Sequence, residues 1–359
     1  MTVNYVIYIY IGVCSTLILF NFVYIFQRKI LDFLFDRHCT YWKLALEKEF
    51  EHLTTEHSIQ KQHLKQLEEK LMSINHFTAF IQCLGSFEGH PLFEDYLRQT
   101  APAQQQLALK YLKKNDMYKS FYSYSISLYP PKLQDEYHPL LEILIRYLDS
   151  SSLYCRENVL KALYSIGNLH AVEMAFQFIH DHQLEHHQKL LSDGLATFQG
   201  NKELLCKHLW SHCMEWNENL VTSIIAFISM TSDSFQETFL PVLKSDTTPL
   251  EVRLEILRYY RRHPYPPVLT ELLKLMNSDC NLNLKIVSCS VLSKYPSPDT
   301  ILCLKQALKH TNWYVRYNAA QSLAELKISK QELLDIFNGT DTYAKEILEY
   351  MFEQTGVSI

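Results

Sequence analysis

A steady internal period constrains this chain more than any other feature. The segment Asn312-Trp-Tyr-Val-Arg-Tyr-Asn-Ala-Ala-Gln-Ser-Leu-Ala-Glu-Leu326 reads as an amphipathic helix, with Val315, Ala319, Leu323 and Leu326 on one apolar face and Asn312 placed to cap its start. Aligned on Arg316, the same helix recurs at Lys285, Arg253, Leu220, Gln188 and Arg156, at intervals of 31, 32, 33, 32 and 32 residues. Seven positions after each anchor stands a large apolar residue: Leu323, Leu292, Tyr260, Phe227, Leu195 and Leu163. A further copy is anchored near Lys345, with Phe352 seven later. Such a repeat cannot bury its apolar face alone, so copies must stack. The expected fold is all-α: a right-handed-type α-solenoid of stacked helix pairs.

Each unit from His138 onward reads as a first helix, a short polar loop and the anchor helix. The loops, among them Asp149-Ser-Ser-Ser152, Ser245-Asp-Thr-Thr248, Asn277-Ser-Asp279 and Asn338-Gly-Thr-Asp341, are rich in residues that cap a following helix. Gly167, Gly200, Pro264, Pro296 and Pro298 stand between units, where one helix must stop and the next begin.

The N-terminus is of another kind. Val3 to Phe26 carries no charge, and at about 1.5 Å per residue it is roughly 36 Å long, enough to cross a hydrocarbon core. Tyr5, Tyr8, Tyr10 and Tyr24 suit interfacial belts. A cleaved signal peptide would want a basic start and a small-residue cleavage site; here no Lys or Arg precedes the run, and Phe22, Tyr24 and Phe26 close it. Arg28, Lys29, Arg37 and Lys43 follow, which places the rest of the chain in the cytoplasm. The nine cysteines, odd in number and without a CxxC pair, agree as free thiols in a reducing compartment.

Four segments are therefore expected: a transmembrane helix (1–26), a helical stalk (27–74), irregular helical cap repeats (75–137) and the regular repeats (138–359). In the stalk, Phe50, Leu53, Leu64, Leu67, Leu71 and Ile74 keep a 3-4 spacing, with His57 and Gln60 filling two seam positions. One reading is a parallel coiled coil, hence a homodimer; the other is a helix packing its stripe on the first repeats. In the caps, short helices are expected over His76–Leu84, Pro91–Gln99, Pro102–Lys113 and Met117–Leu128.

The regular units resemble HEAT repeats, which are helix pairs with an Asp in the inner loop and Val-Arg opening the second helix. Val252-Arg253 and Val315-Arg316 match the dipeptide, and Asp149, Asp181 and Asp246 lie seven residues before the anchors Arg156, Gln188 and Arg253. The resemblance implies that Asp149, Arg156, Asp246, Arg253 and Arg316 belong to a structural ladder, broken where Cys213 and Leu220 replace the pair. It covers 138–355 well, and it implies binding of protein partners rather than a shared active site.

Against this frame the chemistry-bearing groups are few. The net charge of −5 argues against nucleic acid as the main partner. With only eight glycines there is no P-loop, nucleophile elbow or dinucleotide motif, so no enzyme and no cofactor is expected. The alternative, a metal-binding protein or enzyme, rests on His180, His182, His186 and His187 with Cys206, His208, His212 and Cys213, where His182/His186 and His208/His212 have i,i+4 spacing. For partner binding, positions one and five after each anchor face away from the core and turn apolar in the middle units. Val221, Ile225, Leu254 and Ile286, beside the basic Arg258, are the expected docking stripe if they are exposed; the other reading is tighter local packing of the repeats. The expected role is a membrane-anchored cytoplasmic scaffold that recruits or regulates a membrane-associated protein complex.

Overall fold

The structure, a computed structural model, describes residues 3–133, 137–278 and 280–355. Among these the chain forms helices and turns, with no strand. It divides into two units, Met1–Ala175 and Phe176–Ile359. The division falls inside a helix of the repeat array, not at any of the three boundaries the sequence suggests.

Unit 1 starts with α1 (Val3–Glu56), one unbroken helix of 54 residues. From Ile7 to Phe26 it is exposed except at half-buried Cys14, with Tyr8, Leu19, Phe20, Phe22 and Phe26 each more than half open. Its second half is core. Trp42, Leu46, Phe50 and Leu53, spaced at helical intervals, are all buried. They pack on α3 (Ile74–Gly85) and on the segment after it: Trp42 meets Phe80 edge-on at 5.0 Å, and Phe50 stacks on Phe87 at 4.8 Å and on Tyr96 at 5.0 Å.

The expected single helix over 27–74 breaks at 57–60. His57 adopts φ 55° and donates its N–H to Leu53 O at 3.1 Å, which closes α1. The backbone of the break is held by side chains: Ile59 N–H donates to Gln99 Oε1 (2.9 Å), Gln99 Nε2 donates to His57 O (3.1 Å), and Gln60 N–H donates to Glu49 Oε1 (2.7 Å). The chain continues in α2 (Lys61–Lys70), which buries Leu67 and packs on α4 (Phe93–Tyr111), and Leu71 is buried just beyond. The two polar seam positions are thus the break itself, and Phe50, Leu53, Leu67 and Leu71 are spent within the chain's own core. The reading that packs the stripe on neighbouring helices describes this arrangement; a coiled-coil seam through those residues has no free surface left.

Helix α4 also runs straight through Pro102, where two helices were expected. The proline removes one backbone donor. Buried Leu97, Ala101, Leu107, Ala108 and Tyr111 on both sides of it hold the helix together. The remainder of unit 1 is α5 (Asp116–Leu128), α6 (Pro139–Arg146) and α7 (Leu153–Ile166). Asn115 caps α5 by accepting from Tyr118 N–H, and Ser152 caps α7 by accepting from Cys155 N–H. Gly167, at φ 75°, ends α7 in the left-handed conformation that favours glycine. Buried Tyr111, Tyr122 and Tyr147 meet edge-on or tilted, and their hydroxyls donate to Leu71 O, Gln104 O and Ala108 O.

Helix α8 (Leu169–Asp181) spans the division. Unit 2 then alternates first and second helices. The second helices are α9 (Gln188–Ala196), α11 (Glu218–Thr231), α13 (Leu250–Arg262), α15 (Leu282–Leu292), α17 (Trp313–Glu325) and α19 (Thr342–Thr355). Between them lie α10 (Lys202–Cys213), α12 (Gln236–Lys244), α14 (Leu269–Asn277), α16 (Pro298–Ala307) and the short α18 (Leu334–Phe337). Each second helix packs on the next, and α10, α12, α14 and α16 each pack on the second helix that follows. This is α-solenoid stacking. The residues seven after each anchor set its phase: Leu163, Leu195, Phe227, Tyr260, Leu292 and Leu323 are fully buried, and Phe352 nearly so. Asn217 and Asn312 cap as expected by accepting from the first turn of the helix they precede; α15 is capped by Asn281, beyond the expected Asn277–Asp279 loop, and α13 starts after Pro249 with no side-chain cap from Ser245–Thr248. Asp279 lies outside the described residues, as do 134–136 of the expected cap segment and 356–359 of the expected repeats.

Candidate docking surface

The expected docking stripe is mostly interior. Ile225 is fully buried, Val221 and Leu254 are each 3% exposed, and Ile286 is half-buried; Arg258 alone stands open. The cause is the stacking of α11 between α9 and α13: large apolar side chains at positions one and five fill the seams between adjacent second helices. The flanking Lys189 and Asp193 at the same phase project into solvent. Apolar character there marks tighter packing, not a free surface.

The exposed surface lies two repeats further on, between α17 and α19. In α17, Asn312 accepts from Tyr314 N–H (2.9 Å) and fixes the first turn. Val315, Ala319 and Leu323 then point inward, leaving Trp313 (57% exposed) and Tyr314 (59%) outside, with Tyr317 half-buried beside them. In α19, Asp341 Oδ1 accepts from Ala344 N–H (3.1 Å), and buried Ala344, Leu348 and Met351 turn Tyr343 and Tyr350 outward. The two helices enclose a groove of about 280 Å³ lined by Trp313, Arg316, Tyr317, Tyr343, Glu346, Ile347 and Tyr350. The Trp313 and Tyr317 rings lie 4.9 Å apart, and the Arg316 guanidinium sits over Tyr343 at 5.9 Å. Trp, Tyr and Arg carry much of the energy in protein interfaces. Of these, only Tyr317 occupies an inner position of the repeat phase. Trp313 and Tyr343 belong to first turns, which a search for an aliphatic stripe passes over.

A second, wider groove of about 940 Å³ opens where the ladder is interrupted. It lies between the α8–α9 connection and the starts of α11 and α13, and it is lined by His180, Asp181, Glu185, Glu218 and Glu251 among others. Gln183, at φ 50°, shapes the connection, and Leu184 N–H closes back on Ile179 O (3.0 Å). Glu218 and Glu251 sit in the first turns of α11 and α13, where carboxylates suit the helix dipole.

The ladder residues are present in altered form. Arg156 is buried and donates from Nη1 to Ser150 O (2.8 Å), and Arg316 donates from Nε to His310 O. Arg253 donates from Nε to Leu243 O (3.1 Å). Their common task is to close carbonyls at or just beyond the C-terminal end of the preceding first helix. The carboxylate pairing is looser: Arg253 reaches the exposed Asp246 at 3.7 Å, and Arg316 reaches forward to Asp341 at 3.3 Å. Asp149 is exposed at the end of the short 3-10 helix Tyr147–Asp149.

The histidines are engaged locally. His180 Nδ1 accepts from Asn217 N–H (3.1 Å), His187 Nδ1 accepts from Lys189 N–H (3.2 Å), the His182 ring stacks on Phe178, and His212 bonds to His208 O (3.1 Å). Among the described residues, no trio of ligand atoms combines His182 or His186 with His208 or His212. Burial pushes the Cys206 and Cys213 thiols up to about 12, away from the thiolate form that binds metals.

Residues 237–349, from the start of α12 into α19, match the family profile of HEAT repeats. No curated protein matches the chain. Such repeats serve as protein-interaction scaffolds, and one helix, α1, is long and apolar enough to cross a membrane. The stretch that carries the aromatic groove is thus the stretch that is similar to HEAT repeats.

Proposed function

We propose that this protein is a non-catalytic, membrane-anchored scaffold whose repeats recruit a protein partner to the membrane surface, with the α17–α19 face as the docking surface. The carrying observation is the continuity of α1. Its charge-free run, exposed from Ile7 through Phe26 except at half-buried Cys14, shares one uninterrupted helix with Trp42, Leu46, Phe50 and Leu53 in the core of unit 1. An apolar surface of that extent is stable in lipid rather than in water. Arg28 and Lys29 directly after the run favour a cytoplasmic body, and the nine free cysteines suit that compartment.

The test has two arms. The full chain should stay with membranes through an alkaline wash, and a chain lacking residues 3–26 should not. A photo-crosslinking residue at Tyr317 should give protein adducts in native membranes, and one at Glu237 on the exposed side of α12 should not. Release of the full chain by the wash refutes the anchor. Equal yields from the two positions refute the docking surface.

A further inference from the structure

The groove between α17 and α19 has a chemistry that selects its occupant. Three of its walls are the aromatic rings of Trp313, Tyr317 and Tyr343, with Tyr350 beyond. On α19 the exposed face continues as Glu346, Glu349, Tyr350 and Glu353, spaced as one side of a helix. None of these three carboxylates has an ion-pair partner among the described residues. The cation already present, Arg316, is accounted for: it closes His310 O and is neutralised by Asp341 at 3.3 Å. Its guanidinium over Tyr343 shows that this wall accepts a cation on its face. The groove therefore offers the rings of Trp313 and Tyr317 with the exposed Glu346 in its lining, and Glu349 and Glu353 follow along the exposed side of α19, Lys345 standing one turn before Glu349.

We propose that this groove seats a Lys- or Arg-bearing segment of the partner, with a cationic side chain against the faces of Trp313 and Tyr317 and neighbouring cations along Glu346, Glu349 and Glu353. The proposal rests on the reading of this face as the docking surface. Ring quadrupoles attract ammonium and guanidinium groups, and a partly desolvated site strengthens that attraction. The carboxylates add steering that salt screens. The same charges disfavour an acidic segment and an anionic lipid surface.

Full-length protein in neutral nanodiscs is titrated calorimetrically with a blocked arginine-rich peptide, a glutamate-rich peptide and an uncharged peptide of equal length. The arginine-rich peptide should bind, the other two should not, and added salt should weaken it. Trp313→Ala and the triple variant Glu346→Gln, Glu349→Gln, Glu353→Gln should each weaken binding at least about tenfold. All four side chains are exposed, so helical content and melting should hold in both variants. Unchanged affinity in the triple variant, or tighter binding of the glutamate-rich peptide, overturns the proposal. So does finding that the Tyr317 adducts are second copies of this chain. If those adducts form with another protein but do not depend on the three glutamates, the docking surface stands and its cationic occupant falls. If the arginine-rich peptide binds as stated and no adduct forms, the docking surface is what fails.

Discussion

Replacing Arg253 with Ala separates two accounts of what the ladder residues do. In one, Arg253 is half of an ion pair with Asp246. In the other, it is a charged cap on the end of α12. The geometry favours the second. Arg253 is 11% exposed and its Nε lies 3.1 Å from Leu243 O, whereas the Asp246 carboxylate is 93% exposed and 3.7 Å away. A hydrogen bond from a charged donor contributes about 1.5–3 kcal/mol, and removing it leaves Leu243 O at the part-buried end of α12 without that donor. An ion pair with one solvated partner contributes about 0–1 kcal/mol. Arg253→Ala should therefore cost about 2 kcal/mol and Asp246→Ala less than about 0.5 kcal/mol, with the double variant close to Arg253→Ala alone. The chain has two units, so a single melting midpoint is a poor measure. Hydrogen exchange of the α12 and α13 amides, read by mass spectrometry, reports the local opening free energy instead. If Asp246→Ala loosens α12 as much as Arg253→Ala does, the capping account is wrong and the ion pair is the working element.

Three further outcomes follow from the packing. Ile225→Asp puts a carboxylate at a fully buried site and should unfold unit 2 locally, seen as lost exchange protection in α9, α11 and α13; a well-folded variant would show that α11 can turn that face to water. Trp42→Ala removes a fully buried side chain from the contact of α1 with α3 and should destabilise unit 1 by about 3–5 kcal/mol, with protection lost in α3 before any helix of unit 2. His63 is 3% exposed and shares a 2.8 Å hydrogen bond with Tyr96 Oη, and burial lowers it from 6.5 to about 4. The unfolded chain then binds its proton first, so unit 1 loses stability as pH falls from 6.5 towards 4, by at most about 3 kcal/mol. Glu49, 4.0 Å away and raised by burial, takes up its proton in the folded state early and offsets part of that loss. His63→Gln should flatten the acid slope of α2 and α4 exchange; an unchanged slope would assign it to other groups.

What the chain discloses before folding depends on whether a property is set by phase or by neighbours. The buried set Leu163, Leu195, Phe227, Tyr260, Leu292 and Leu323 is phase alone, and a period of about 32 residues carries it. The fate of Ile225 is not, because Lys189 stands open at an adjacent inner position while Ile225 is sealed by α9 and α13. The break at 57–60 hides for a different reason. It replaces about one helical turn, so the 3-4 spacing of Phe50, Leu53, Leu64 and Leu67 survives across it and the pattern reads as continuous. Pro102 misleads in the opposite sense: it looks like a stop, and buried neighbours on both sides override it. The aromatic groove of Trp313, Tyr317, Tyr343 and Tyr350 is not singled out by the repeat pattern. Only the pairing of α17 with α19 shows that they share one cleft.

The unbroken course of α1 has a mechanical meaning. No glycine, proline or loop separates Phe26 from Trp42, a distance of about 24 Å along the helix. Under the proposed anchoring, unit 1 is not a tethered ball on a string but the head of a rigid lever. A swivel would let it sample every orientation; a continuous helix transmits tilt and torsion from the bilayer directly into α3. Part of the rotational freedom of unit 1 is then already frozen by the membrane. An inserted flexible glycine–serine linker after Arg37 would restore that freedom without altering a single contact in the unit's core.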